Sequence, residues 1–537
     1  DTMSASSKKK LRAEENAAKL TERQLAQNKE DKKTKAYTIA FGVVLALLVV
    51  VAAAVGVNRS IANSGTREKN TVALTLGDTT MSNAELSYYF IDTVNSFYSQ
   101  NGSYLSLFGL DTGKALDQQV YNEETGETWA DYFLSSAEES AKSVYAVCQE
   151  AEKNGYELDQ DSQDQIDSIT SNLSLYASAY GYSKPVDYLK AMYGKGATLE
   201  GYQNYLRANL TASGYQDSYK DSLTFSADEV SAKDSEDSKV YNSYSYNQYY
   251  LSSSRYLDDE ATNEEKAAAA EADAKAITGA DIQSLADFDA AIAKLEVNAD
   301  SSAASTAMTD NRYTSVSSVI ADWISDSSRK EGDKTYIAST STSTDEDGNE
   351  VTTISGYYAV YYIGSTDNQF PLVNVRHILA GFEGGTTDDS GNTTYSDEEK
   401  AAAKQTAEDL LNEWKQGEAT EDSFAALATE KTTDTGSKDN GGLYENVYPG
   451  QMVSAFNNWC FDSSRKPGDT GIVETNYGYH VMYFVGQSEE TYREYLIKTD
   501  LETDAYNTWY NTLVESVDMT VGDTSHIRTG LVLSANS

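Results

Sequence analysis

The chain of 537 residues is poor in cysteine, in histidine and in positive charge. Its two cysteines, Cys148 and Cys460, are too few for a disulfide framework and do not make a Cys-based metal site, though one disulfide between them stays open. Its three histidines, His377, His480 and His526, form no His-rich metal cluster. A glycine-rich phosphate loop and a catalytic triad are also missing, so no metal or cofactor is expected. Asp345, Asp347 and Glu350 crowd one turn, but their spacing misses the calcium-loop pattern and reads as a solvated turn. Lys and Arg number 42 against 84 Asp and Glu, a net charge of -42. That sign argues against nucleic acid as a partner and against a generally basic lipid-binding surface.

The length leaves room for several domains. Tyr37 to Val57 is a run of 21 residues without charge, long enough to cross a bilayer as a helix. Residues 1–36 before it hold ten Lys/Arg and six Asp/Glu. Basic flanks stay inside, which predicts a single-pass membrane protein with a cytoplasmic segment 1–36, an anchor in the lipid bilayer at 37–57 and an acidic body outside the cell membrane. Cleavage near Ala52–Ala54 as a signal peptide is the rival reading.

Residues 60–238 read as a helical domain. Ser82 followed by Glu85 has capping-box spacing, which predicts a helix from Asn83 burying Leu86, Tyr89, Phe90 and Phe97. Further helical patterns run at about 128–153, 161–180 and 198–224. The many tyrosines read as amphipathic core lining, with a peptide-binding cleft as the alternative. Residues 488–520 read as one long helix and 521–537 as a tail, with His526 on the surface.

An internal repeat organises the rest. The block from Ala321-Asp322-Trp323 to Ser328-Arg329-Lys330-Glu331-Gly332-Asp333 recurs from Asn457-Asn458-Trp459 to Ser464-Arg465-Lys466-Pro467-Gly468-Asp469, and Gly356-Tyr357-Tyr358 to Gly364 recurs as Gly478-Tyr479-His480 to Gly486. The first copy carries additional residues around Ser339 to Ile354, where Asp347-Gly348-Asn349 signals a hairpin turn. Two tandem domains of one fold are expected, 240–366 and 371–487.

The second copy strings together Val375-Arg376-His377-Ile378-Leu379, Ser423-Phe424-Ala425-Ala426-Leu427-Ala428, Gly436-Ser437-Lys438-Asp439-Asn440-Gly441-Gly442, Gly450-Gln451-Met452-Val453-Ser454-Ala455-Phe456, Lys466-Pro467-Gly468-Asp469 and Tyr477-Gly478-Tyr479-His480-Val481. In order and spacing these blocks resemble the parvulin family of peptidyl-prolyl cis-trans isomerases. With the repeat, the resemblance implies an α+β multidomain chain, a helical chaperone-like domain with two tandem parvulin-like α/β domains, to which the apolar run 37–57 adds one N-terminal transmembrane helix. It also implies that the helix in 488–520 folds back on the N-terminal helical domain. The plan is similar to bacterial extracytoplasmic foldases and periplasmic chaperones, whose partners are unfolded exported polypeptides with X-Pro bonds.

Such an enzyme needs no covalent step. Rotation about X-Pro meets a barrier of roughly 18–20 kcal/mol, and the protein must favour the twisted amide in a dry pocket. By resemblance, His377, His480 and Asp434 are the catalytic residues, and Gln451, Met452, Phe456 and Leu443 bind substrate. Met452 and Phe456 are read as four apart on one helix face. Leu443-Tyr444-Glu445 and Pro449 depart from the family pattern of Asp-Leu-Gly and Arg at these places. In the first copy Tyr249 and Tyr358 are aligned with the two histidines, which implies a silent domain, here called degenerate. A non-enzymatic holdase is the alternative function. The loop Ala380 to Ser396 has no Lys or Arg, and strand alternation sends Arg376 away from the face of His377, so phosphorylated residues before proline are expected to be disfavoured.

Overall fold

The computed structural model describes residues 65–345 and 348–533. They fall into two compact units, 65–224 with 502–533, and 225–501.

The expected span Tyr37–Val57 lies outside the described residues, as does segment 1–36. Among the described residues no helix is long and apolar enough to cross a membrane. The long helices are amphipathic: Trp129–Lys153 buries Phe133, Ala137, Ala141 and Val147 and carries Asp, Glu and Lys on its other faces. The single-pass topology, the bilayer partner and the cell-membrane location are therefore withdrawn.

In the first unit, Ser82 and Glu85 close a reciprocal capping box on helix Asn83–Asn101, with the Ser82 amide donating to Glu85 at 2.7 Å. Leu86, Tyr89 and Phe90 are buried there, while Phe97 is half-buried. Helices Trp129–Lys153, Gln160–Ala179 and Leu199–Ser222 follow. A further helix, Pro185–Tyr193, went unread between two longer patterns, although its first residue is a proline, a favoured start. Tyr88, Tyr188 and Tyr202 are fully buried in this core. The chain's end returns to it: Met519–Val521 pairs antiparallel with Val72–Leu76, which also pairs with Thr79–Ser82. Asn83, fully buried, clamps both ends of the unit by donating from Nδ2 to the carbonyls of Thr71 and Asp523. Helix Tyr492–Glu515 gives its second half to this unit, where Trp509 stacks on Tyr219 at 4.0 Å.

The second unit holds two antiparallel four-stranded sheets of one strand order. In the first the order is Thr306–Arg312, Ser243–Ser252, Glu350–Thr366, Lys334–Thr344. In the second it is Leu443–Val447, Pro371–Gly381, Gly478–Thr491, Thr470–Thr475. The repeated Trp-to-Arg block is the same local device in both. Arg329 lies 4.2 Å above the Trp323 ring and donates to its carbonyl, and Arg465 does so at 4.1 Å over Trp459. The additional residues of the first copy lengthen a hairpin whose outer part, Thr340–Thr353, is mostly exposed.

The second sheet is packed on both faces. Ile378, Ala380 and Val481 meet helices Asp397–Gln416 and Glu421–Lys431 through Ala407, Leu410, Trp414 and Phe424. The opposite face carries Val373, Val375, Met482 and Phe484 under Phe456 and Cys460. Alternation along Pro371–Gly381 therefore sends odd-numbered residues to the second face and even-numbered ones to the helices.

Candidate active site

His377 stands on the second face, opposite Met482, and His480 is two residues along from Met482, opposite Leu379. That diagonal register puts the two rings side by side, with centroids 5.1 Å apart and planes 20° from parallel. Their Nδ1 atoms are 2.9 Å apart, and both side chains are buried. The segment after helix Glu421–Lys431 is sewn to the same strand, because Leu379 donates to Thr432 Oγ1 and accepts from the Thr433 amide. Asp434 then reaches His377 Nε2 at 2.8 Å.

Asp434 Oδ2 also accepts from Ser437 Oγ at 2.5 Å and from the Tyr444 hydroxyl at 2.9 Å. At the other end, Thr475 Oγ1 lies 2.8 Å from His480 Nε2 and accepts from the Tyr477 amide. With Asp434 ionised, one proton arrangement satisfies the whole chain of bonds: Thr475 donates to His480 Nε2, His480 Nδ1–H to His377 Nδ1, and His377 Nε2–H to Asp434. Burial works to raise the pKa of Asp434, but the hydrogen bonds from His377 and Ser437, the electrostatic attraction of the His377 ring and the Tyr444 bond outweigh it and hold the carboxyl well below its usual range. Burial, and then the neighbouring His377, push His480 down to about 3, so its ring is neutral at physiological pH.

The remaining expected residues divide. Phe456 is buried and meets both histidine rings edge-on at 5.4 Å. Met452 packs partly buried in the same cluster, but the helix is Ser454–Cys460, so Met452 precedes it and the four-apart argument fails. Gln451 is exposed and its side-chain oxygen accepts from the Tyr448 amide. Leu443 is opposite Arg376 on the helix-covered face, away from the histidines. Its neighbour Tyr444 takes the place at the site, its ring 5.3 Å from His377. Sequence reasoning passed over Tyr444, Ser437 and Thr475. In the sequence Tyr444 stands only as a departure from the family pattern, and that departure is the signal.

Gly442 allows the close packing. It has φ +71°, and a Cβ there would meet the His377 carbonyl at 2.1 Å. Cys148 and Cys460 are both free, with thiols pushed by burial up to about 11 and about 12. Among the described residues no group of three or more His, Cys, Asp or Glu side chains is placed to hold a metal ion.

Residues 358–487 match the PPIC-type PPIASE domain family. The chain carries a parvulin-type isomerase domain. Foldase protein PrsA 1 of Listeria innocua is 32% identical over 120 residues, covering 22% of this chain and 32% of that protein. Foldase protein PrsA of Caldanaerobacter subterraneus is 35% identical over 155 residues, covering 29% of this chain and 41% of that protein. The matched stretches thus span less than half the length of these relatives. The crystal structure of PrsA from Bacillus subtilis is similar at 14% identity and a TM-score of 0.27, covering 78% of this chain and 98% of that one.

The expectation of two tandem parvulin-like domains is corrected to one. The family match covers a single parvulin-type domain and begins at Tyr358, in the last strand of the first sheet. The first sheet lacks this network because other residues hold its two histidine positions. Gly356 pairs with Ser252 as Gly478 pairs with Gly381, so Gln248 and Tyr358 hold the positions of His377 and His480. Register thus replaces the Tyr249 of the sequence alignment with Gln248.

Proposed function

We propose that the protein is a peptidyl-prolyl cis-trans isomerase and foldase that assists the folding of exported, proline-containing polypeptides. One observation carries this reading: two stacked histidines locked between Thr475 and an ionised Asp434 beside the apolar wall of Phe456 and Met452. The arrangement is rigid and needs no reorganisation as an amide twists over it. Asp434 is the member that keeps surface, 21% of its side chain against 3% for His377, so its carboxylate faces a bound peptide. As the proline nitrogen leaves conjugation, the carbonyl carbon becomes electron-poor, and a fixed negative charge favours that state over the planar one. Phe456 and Met452 supply the dry surface for the pyrrolidine ring. The absence of this network from the first sheet favours an enzyme over a purely binding holdase, because binding alone gives no reason for that asymmetry.

The residue before proline is apolar or basic in good substrates. The loop 382–396 contributes Glu383, Asp388 and Asp389 and no Lys or Arg. Arg376 is buried and committed to Glu421 and to the carbonyls of Asn440 and Gly441, so it is not free to bind phosphate. A protease-coupled isomerase assay on the whole protein tests the reading. Replacing both His377 and His480 with alanine is expected to abolish the acceleration. An unchanged rate in that folded variant overturns the assignment, and preference for phosphoserine before proline overturns the specificity.

A further inference from the structure

The helical unit contains a cavity of about 420 Å³ among helices Asn83–Asn101, Trp129–Lys153 and Leu199–Ser222. Its walls include Tyr89, Phe97, Tyr132, Phe133 and Tyr205, and Asp92 lines it among these rings. Tyr205 donates to one Asp92 oxygen at 2.6 Å and Tyr193 to the other at 3.3 Å. A carboxylate has roughly four acceptor sites, so two bonds leave it partly served. Among the ion pairs of the described residues none engages Asp92. Burial outweighs both tyrosine bonds and raises its pKa to about 6, the mark of an anion short of a counter-charge.

The aromatic wall does not stop at the cavity. Phe97 touches Phe108 at 5.8 Å, and Tyr132 stacks on Tyr121 at 4.3 Å. Phe108 and Tyr121 are exposed, as is Leu107 at 80%, so an uncovered apolar strip runs out from the cavity mouth. Rings around an unpaired carboxylate suit a cation with an aliphatic stem, which the aromatic faces attract and the carboxylate neutralises.

We propose that this cleft binds an unfolded polypeptide segment by seating a lysine or arginine side chain on Asp92, with neighbouring apolar side chains laid along the strip from Phe97 to Tyr121. The net charge of -42 adds attraction for a basic segment. Asp92 and Phe97 are five residues apart on one helix, a rise of ~7.5 Å, which an extended peptide covers in ~2 residues. The recognised pattern is therefore a basic residue about two positions from an aromatic or aliphatic one. This site is separate from the isomerase site and does not require proline.

The test uses the full chain and two fluorescent, proline-free, unstructured peptides that differ only in arginine or norleucine two positions from a phenylalanine. Anisotropy is expected to show the arginine peptide binding at least tenfold more tightly. Asp92→Asn should erase that difference while leaving kcat/KM for prolyl isomerisation unchanged. Should that variant fail to fold, Ser96→Arg supplies an internal guanidinium one turn away and is expected to erase the difference with the carboxylate intact. Equal binding of the two peptides to the unaltered protein, or discrimination surviving both substitutions, overturns the proposal. So does self-association of the chain that is lost on Asp92→Asn without peptide discrimination, which would make a second copy the occupant.

Discussion

Replacing Asp434 with alanine is the sharpest test of the proton arrangement at the isomerase site. The carboxylate oxygen accepts from His377, Ser437 and Tyr444 at 2.8, 2.5 and 2.9 Å, and its removal strands all three donors. They are not equally harmed. Ser437 Oγ lies 3.0 Å from His377 Nε2 and can take over as acceptor, and Tyr444, half-buried, can turn to water. The net loss is then one to two bonds to a charged group, about 2–4 kcal/mol of stability. The effect on catalysis is separate. Without the carboxylate, nothing forces the His377 proton onto Nε2, and the forfeited bond of roughly 1.5–3 kcal/mol corresponds to a loss of about 10-fold to 150-fold in kcat/KM. Asparagine retains an acceptor for His377 but not the charge, so it should keep most of the stability and lose a large part of the activity. Chemical denaturation and a protease-coupled assay at 10 °C measure the two effects. Equal activity of the alanine variant and the unaltered protein, with both folded, refutes the directed chain.

Acid should weaken the domain by two routes. The depressed His480 makes the unfolded chain bind a proton first, so stability falls as pH drops from about 6.5 towards about 3. Asp434, also depressed, adds stability that is complete above its ordinary value of 3.8 and is lost as pH falls through its lower native value; urea midpoints against pH check both, and a midpoint flat from pH 7 to 4 contradicts the first. Tyr444→Phe removes one donor to Asp434 and should lower kcat/KM by about 3-fold to 10-fold, a cost of roughly 1 kcal/mol, with little change in the denaturation midpoint. Leu443→Ala, on the opposite face, should cost about 2–5 kcal/mol of stability and leave kcat/KM of the folded protein unaltered. Asp92→Asn should raise stability at pH 8 and lose that advantage below pH 4, because burial raises the native carboxyl to about 6 and the folded state is relieved once it is protonated. Neither Cys148 nor Cys460 should react with an alkylating reagent at pH 8 until denaturant is added, as mass spectrometry would show.

What the sequence determined by itself was local or carried by short blocks. The capping box at Ser82 set where its helix begins, because the four positions from Ser82 to Glu85 settle that geometry. The scarcity of histidine made His377 and His480 legible as a pair, and the Trp-to-Arg block marked the repeat because each copy folds over its own tryptophan. Tertiary structure decided what depends on register and on partners distant along the chain. One residue of strand alternation placed Tyr444 at the site and Leu443 behind it, and the pairing of Gly356 with Ser252 put Gln248 where a histidine would be. Met452 left the helix because the helix starts at Ser454, a boundary that the apolar pattern did not mark. The tyrosines of the helical unit read as core, and most are; only the meeting of four helices around Asp92 revealed a carboxylate bonded to hydroxyls and to no cation among the described ion pairs, since burial of charge is a property of packing rather than of composition.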